Sequence, residues 1–61
     1  MTTTIEYGYD RHVQSWCVMV LDEKRNEITS SYVGNLHDAK VEIEYFKKEY
    51  KPATVIKIKA Y

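Results

Sequence analysis

Leu36, Ala39, Ile43, Phe46 and Tyr50 follow one another at steps of three, four, three and four residues. That spacing lines one face of an α-helix. The ends are marked too. Asn35 suits an N-cap, and Asp38 three residues later makes a variant of the capping box. Asp38 and Glu42 lie early and Lys47, Lys48 and Lys51 late, so both ends complement the helix dipole. Glu44 precedes Lys47 and Lys48 by three and four residues and supports the exposed face. Pro52 pushes Lys51 out of the α region and stops the helix. The apolar stripe must be covered, and one face of a small sheet is the cover the rest of the chain can supply.

The strands that would build this sheet are legible. Thr3 to Tyr9 alternates, with Ile5 among the odd positions and Gly8 among the even ones. A glycine here points to an edge, a bulge or a close backbone approach. Val13 to Leu21 is apolar on both faces at its centre and reads as a central strand. The polar run 22–27 reads as a turn, and Ile28 to Val33 as the returning strand. After Pro52, Ala53 to Tyr61 alternates again, with Thr54, Ile56, Ile58 and Ala60 on one face and Val55, Lys57, Lys59 and Tyr61 on the other. The expectation is one α+β domain over residues 1–61. Its order is β-β-β-α-β, with one helix on one face of a small, mainly antiparallel sheet of three to four strands. Ile56 and Ile58 are expected beneath the helix, with Ile28 or Val33 as further partners.

One helix covers one sheet face, yet the second strand is apolar on both. Either Trp16, Val18 and Val20 or Cys17, Met19 and Leu21 must look away from the helix. Long lysine stems can shield part of such a face, and a second copy or another protein can cover all of it. Val41 and Tyr45 fall off the helix stripe, and six tyrosines exceed what a core this thin needs. Tyrosine is favoured at interfaces. The partner-binding candidates are therefore Trp16, Val18, Val20, Tyr45, Val55, Lys57, Lys59 and Tyr61, with homodimerisation as one use of the surface.

Charge adds a rival. Nine basic and nine acidic side chains cancel, which argues against a dedicated nucleic-acid binder. The distribution is uneven, however, with net −2 over residues 1–30 and net +2 over 31–61. Lys57 and Lys59, with Val55 and Tyr61, combine phosphate contact with stacking, so a single-stranded nucleic-acid binder using the basic last strand is the alternative.

Catalytic and metal motifs are weak. His12, Cys17 and His37 lack metal-ligand spacing, and no CxxC is present. Cys17 sits in an apolar run, as an inert buried thiol does. Glu42 and Glu44 point in different directions on a helix. The glycines, Gly8 and Gly34, make no phosphate loop. No enzyme, cofactor or metal is expected. The first residues, Met1 and Thr2 to Thr4, lack the features of a signal peptide, and the apolar run Trp16 to Leu21 is far shorter than the ~20 residues of a membrane helix. A cytoplasmic location is the resulting expectation.

The segment Tyr32-Val33-Gly34-Asn35-Leu36-His37-Asp38-Ala39 and the helix exit Tyr50-Lys51-Pro52-Ala53 resemble, in element order and boundary residues, small bacteriophage inhibitors of host bacterial RNA polymerase. The likeness covers roughly the last 30 residues. It implies a compact β-rich module that acts by binding a host protein, without catalysis. The reading is a small protein-binding module, with a phage-type inhibitor or regulator as one form of it.

Overall fold

The computed structural model describes residues 2–58. Three strands come first: β1 (Thr3–Asp10), β2 (Ser15–Leu21) and β3 (Glu27–Val33). The helix α1 (Leu36–Glu49) and the strand β4 (Ala53–Lys57) follow. They form a small α+β domain whose four-stranded sheet has the order β3-β2-β1-β4. The pairs β1/β2 and β2/β3 are antiparallel, and β1/β4 is parallel. Lys59, Ala60 and Tyr61, expected to extend the last strand, lie outside the described residues.

Both hairpin turns place a non-glycine residue at positive φ. Between β1 and β2, Gln14 has φ 51, and Asp10 Oδ1 accepts a hydrogen bond from the His12 N–H at 2.9 Å. This turn takes up Val13, so β2 starts at Ser15, later than its apolar pattern suggests. Between β2 and β3, Asp22 Oδ1 accepts from the N–H groups of Lys24 and Asn26, each at 2.9 Å. Arg25 follows with φ 67, and the ladder shifts register between Val20 and Leu21, which leaves Ile28 without a partner opposite it. An aspartate satisfying two turn N–H groups does here what an Asn-Gly pair does in a tighter hairpin.

The helix begins as its sequence requires. Asn35 is extended, and its Oδ1 accepts from the Asp38 N–H at 2.8 Å, while Asn35 Nδ2 donates to the Asp38 carboxylate at 3.3 Å. At the other end the Tyr50 N–H donates to Phe46 O. Ala39, Ile43 and Phe46 are buried against Ile5, Val18 and Val20, with Tyr7, Trp16, Val33, Leu36, Tyr50 and Ala53 packed around them.

Register then settles which residues share the helix side. Ile5 lies opposite Val20 in β2 and Val55 in β4, so the odd positions of β4 face the helix side. Ile56 and Ile58 therefore do not lie beneath the helix, contrary to the sequence expectation. Ile56 pairs with Glu6 on the opposite face. The reason lies at the helix exit: Ala53 packs against the core immediately after the turn and pairs with Thr3, which sets the odd positions of β4 on the helix side.

Backbone chirality fixes the handedness of the β3-α1-β4 connection. Thr3 N–H donates to Pro52 O (3.0 Å), and Tyr7 O accepts from Ile58 N–H (2.9 Å). Odd residues of β1 thus turn their peptide groups toward β4 while their side chains face the helix. For L-residues this places β4 to the right of β1 when the sheet is seen from the helix with β1 pointing up. The crossover is right-handed, as such connections almost always are. It follows from the helical angles that Lys40 and Lys47 line the flank of α1 nearer β4, and Asp38, Glu42 and Glu49 the flank nearer β3.

Candidate functional site

The sheet has a face without a helix, and β2 is apolar there as well. Cys17, Met19 and Leu21 lie on it, with Glu6 and Gly8 of β1, Ser30 and Tyr32 of β3, and Ile56 of β4. Cys17 and Leu21 are nonetheless buried. Their cover is made of side chains rather than a second layer. Tyr32 stands opposite Cys17 across the β2/β3 ladder. Gly8 admits the end of β4, for a Cβ on it would lie 2.8 Å from both Ile58 Cγ1 and Ile58 O. Arg25, turned by its positive φ, sends its Nη2 to Glu6 Oε2 on β1. The Glu6 side chain is only 12 % exposed and that of Arg25 63 %, so the guanidinium forms an outer rim above a carboxylate seated between Met19 and Ile56.

What stays open is a patch with interface composition. Tyr32 on the edge strand β3 is 57 % exposed and Ile56 on the edge strand β4 is 40 %, with half-buried Met19 and Glu6 on the two central strands between them. Tyrosine, methionine and arginine are enriched where proteins meet. The sulfur of Cys17 beside the Tyr32 phenol disfavours the phenolate and raises the Tyr32 pKa above its ordinary value, with smaller contributions from Asp10 and Glu27.

The sequence-derived candidates do not come together in one surface. Val18 and Val20 are fully buried beneath α1 and offer nothing to a partner. Trp16 is half-buried on the same side, packed edge-on against Tyr9 with ring centroids 5.7 Å apart. The strand therefore turns Trp16, Val18 and Val20 toward the helix and Cys17, Met19 and Leu21 away from it. Tyr45 stands on the outer face of α1, 59 % exposed. Val55 and Lys57 are exposed on the helix side of the edge strand β4. Lys59 and Tyr61 lie outside the described residues. Sequence reasoning passed over Glu6, Arg25 and Tyr32. Tyr32 was marked by its place in the returning strand, whereas nothing local marks Arg25 as a partner of Glu6.

Among the described residues no three of His, Cys, Asp and Glu gather in a way that would hold a metal ion, and no helix is long and apolar enough to cross a membrane. Comparison with protein-family models, curated proteins and solved structures returns no match.

Proposed function

We propose that this chain is a non-catalytic module that binds another protein through the helix-free face of its sheet. The supporting observation is that this face exposes Tyr32 and Ile56 on its two edge strands, with half-buried Met19 and the Arg25–Glu6 pair between them. Exposed aromatic and aliphatic side chains beside an arginine are the composition on which protein contacts concentrate their energy. A small inhibitor or regulator of a host protein, of the phage type, is the biological form this reading takes. Affinity capture from bacterial lysate with two baits tests it, one unaltered and one carrying Tyr32→Ala with Ile56→Ala. A protein retained by the first bait and lost from the second supports the reading. Equal retention by both baits refutes it.

A single-stranded nucleic-acid binder is the second reading. Its favouring observation is that Lys57 lies on the helix side of β4, the side on which Lys40 and Lys47 line the nearer flank of α1. An oligothymidylate titration at low salt tests it. The expected binding weakens steeply as salt rises and is lost in Lys40→Ala with Lys57→Ala.

A further inference from the structure

β4 is an edge of the sheet, and half of its main chain faces outward. Thr3 N–H donates to Pro52 O and Ile58 N–H to Tyr7 O, so the even residues of β4 bond to β1 in this parallel pair. The N–H and C=O groups of Ala53, Val55 and Lys57 therefore point away from the sheet, and among the described residues no strand lies beyond them. α1 packs over β1, β2 and β3, and Val55 on the helix side of β4 is left 38 % exposed. Ile56 is exposed on the other face. An extended edge with open main chain, apolar on both faces, is the place where one more strand adds.

Charge identifies the strand. Lys57 stands on the helix side of β4, and Lys40 and Lys47 line the flank of α1 nearer to it. α1 runs back from the end of β3 to the start of β4, so Lys40 in its second turn and Lys57 lie toward the same end of the sheet. Glu44 also lies on that flank and is engaged by Lys47 at 3.6 Å. Among the described residues Lys40 and Lys57 make no ion pair. The opposite edge of the sheet differs. Glu27 opens β3, and Asp38, Glu42 and Glu49 line the flank of α1 nearer to it. An acidic segment is attracted to the β4 edge and repelled from the β3 edge. Two copies of this chain paired through β4 would instead bring their lysines together, which is how edge lysines guard against self-association.

We propose that β4 is the docking edge for an extended acidic segment of another protein, which adds a fifth strand to the sheet. Its main chain pairs with the outward groups of Ala53, Val55 and Lys57. Its side chains alternate between the two faces. Those on the helix side look toward Lys57 and Lys40 and are acidic. Those on the helix-free side continue past Ile56 and are apolar. The segment therefore alternates acidic and β-branched residues over the five residues of β4. The proposal goes beyond the reading of the helix-free face and does not depend on it, because Tyr32 lies at the far edge of the sheet. Nucleic acid would use the same lysines but would leave the outward N–H and C=O groups of β4 without a strand to pair with. One added strand makes an interface below about 1,200 Å² in total, so the association is weak and reversible.

The probe is the peptide acetyl-Glu-Val-Glu-Val-Glu-Val-Glu-amide, titrated into the full chain at low salt up to about 1 mM, with amide hydrogen exchange followed residue by residue. The expected result is saturable binding that slows exchange at Val55 and Lys57. Thr54 and Ile56, whose amides already serve β1, should change little. Binding should weaken as salt rises. Lys40→Glu with Lys57→Glu, both at exposed positions, should lower the affinity roughly tenfold and transfer the preference to the same peptide with lysine in place of glutamate. Tyr32→Ala should leave the peptide affinity unchanged, which separates this edge from the helix-free face. No binding at about 1 mM overturns the proposal. So does binding that slows exchange in β3, or that leaves Val55 and Lys57 exchanging as before. Oligothymidylate bound by a chain that does not bind the peptide would overturn it too, and would assign the lysines to nucleic acid.

Discussion

Arg25 and Glu6 lie 19 residues apart in sequence and meet over the face of the sheet that carries no helix. The hairpin turn supplies the arginine at φ 67, and the central strand β1 supplies the carboxylate. The pair closes part of an apolar face that the one helix cannot reach. It also holds a non-glycine residue in the left-handed region, at a cost in backbone energy of about 1 kcal/mol.

These two effects separate in substitution. Arg25→Ala loses the ion pair and keeps the unfavourable φ, so it should lower unfolding free energy by about 0.5–1 kcal/mol. Arg25→Gly loses the same pair but relaxes the backbone, and should fall nearer to the unaltered protein by about 1 kcal/mol. Urea unfolding of both variants decides the matter. Equal losses would mean that the turn stores no strain at position 25.

The two glycines answer differently to a methyl group. A Cβ at Gly8 would meet Ile58 at 2.8 Å, on a backbone oxygen as well as the side chain, so the end of β4 must move. Gly8→Ala should cost about 1–3 kcal/mol, as overpacking does. Gly34 has nothing within 4 Å of the same position and no positive φ. Gly34→Ala should be neutral or stabilising by up to about 1 kcal/mol, through the unfolded chain. Thermal unfolding of the pair tests both, and a Gly34→Ala variant less stable than Gly8→Ala would contradict the packing described.

Tyr32 and Cys17 are coupled through their ring and sulfur. The folded protein holds the Tyr32 proton more tightly than an unfolded chain, whose tyrosines titrate near 10.0. The stabilising contribution is therefore complete below that value and disappears as pH rises through the raised folded one. Ring resonances of Tyr32 followed against pH should show a late midpoint, which moves back toward the ordinary value in Cys17→Ala. An unchanged midpoint in that variant would remove the sulfur as the cause.

The sequence made some of this legible and concealed the rest for physical reasons. The helix, its Asn35 cap and its stop at Pro52 rest on local spacing and local hydrogen bonds, and they stand where the spacing placed them. The sides of the sheet did not read as well. Val18 and Met19 are both apolar, so alternation could not say which of them meets the helix. The alternation of β4 is equally compatible with either face. Its register against β1 is a long-range choice, made where Ala53 passes beneath the helix exit. Gly8 carried a true signal of close approach, realised inside a central strand by Ile58. Arg25 carried none, because its reach to Glu6 depends on a turn conformation that side-chain identity does not announce.

Photo-crosslinking tests the protein-binding face most directly. Benzoylphenylalanine is placed at position 32 in one sample and at position 45 in another, and each is irradiated in bacterial lysate. The expected result is a covalent adduct with a different protein from position 32 and no such adduct from position 45. A different protein captured from position 45, with none from position 32, would contradict the assignment of the helix-free sheet face as the binding surface.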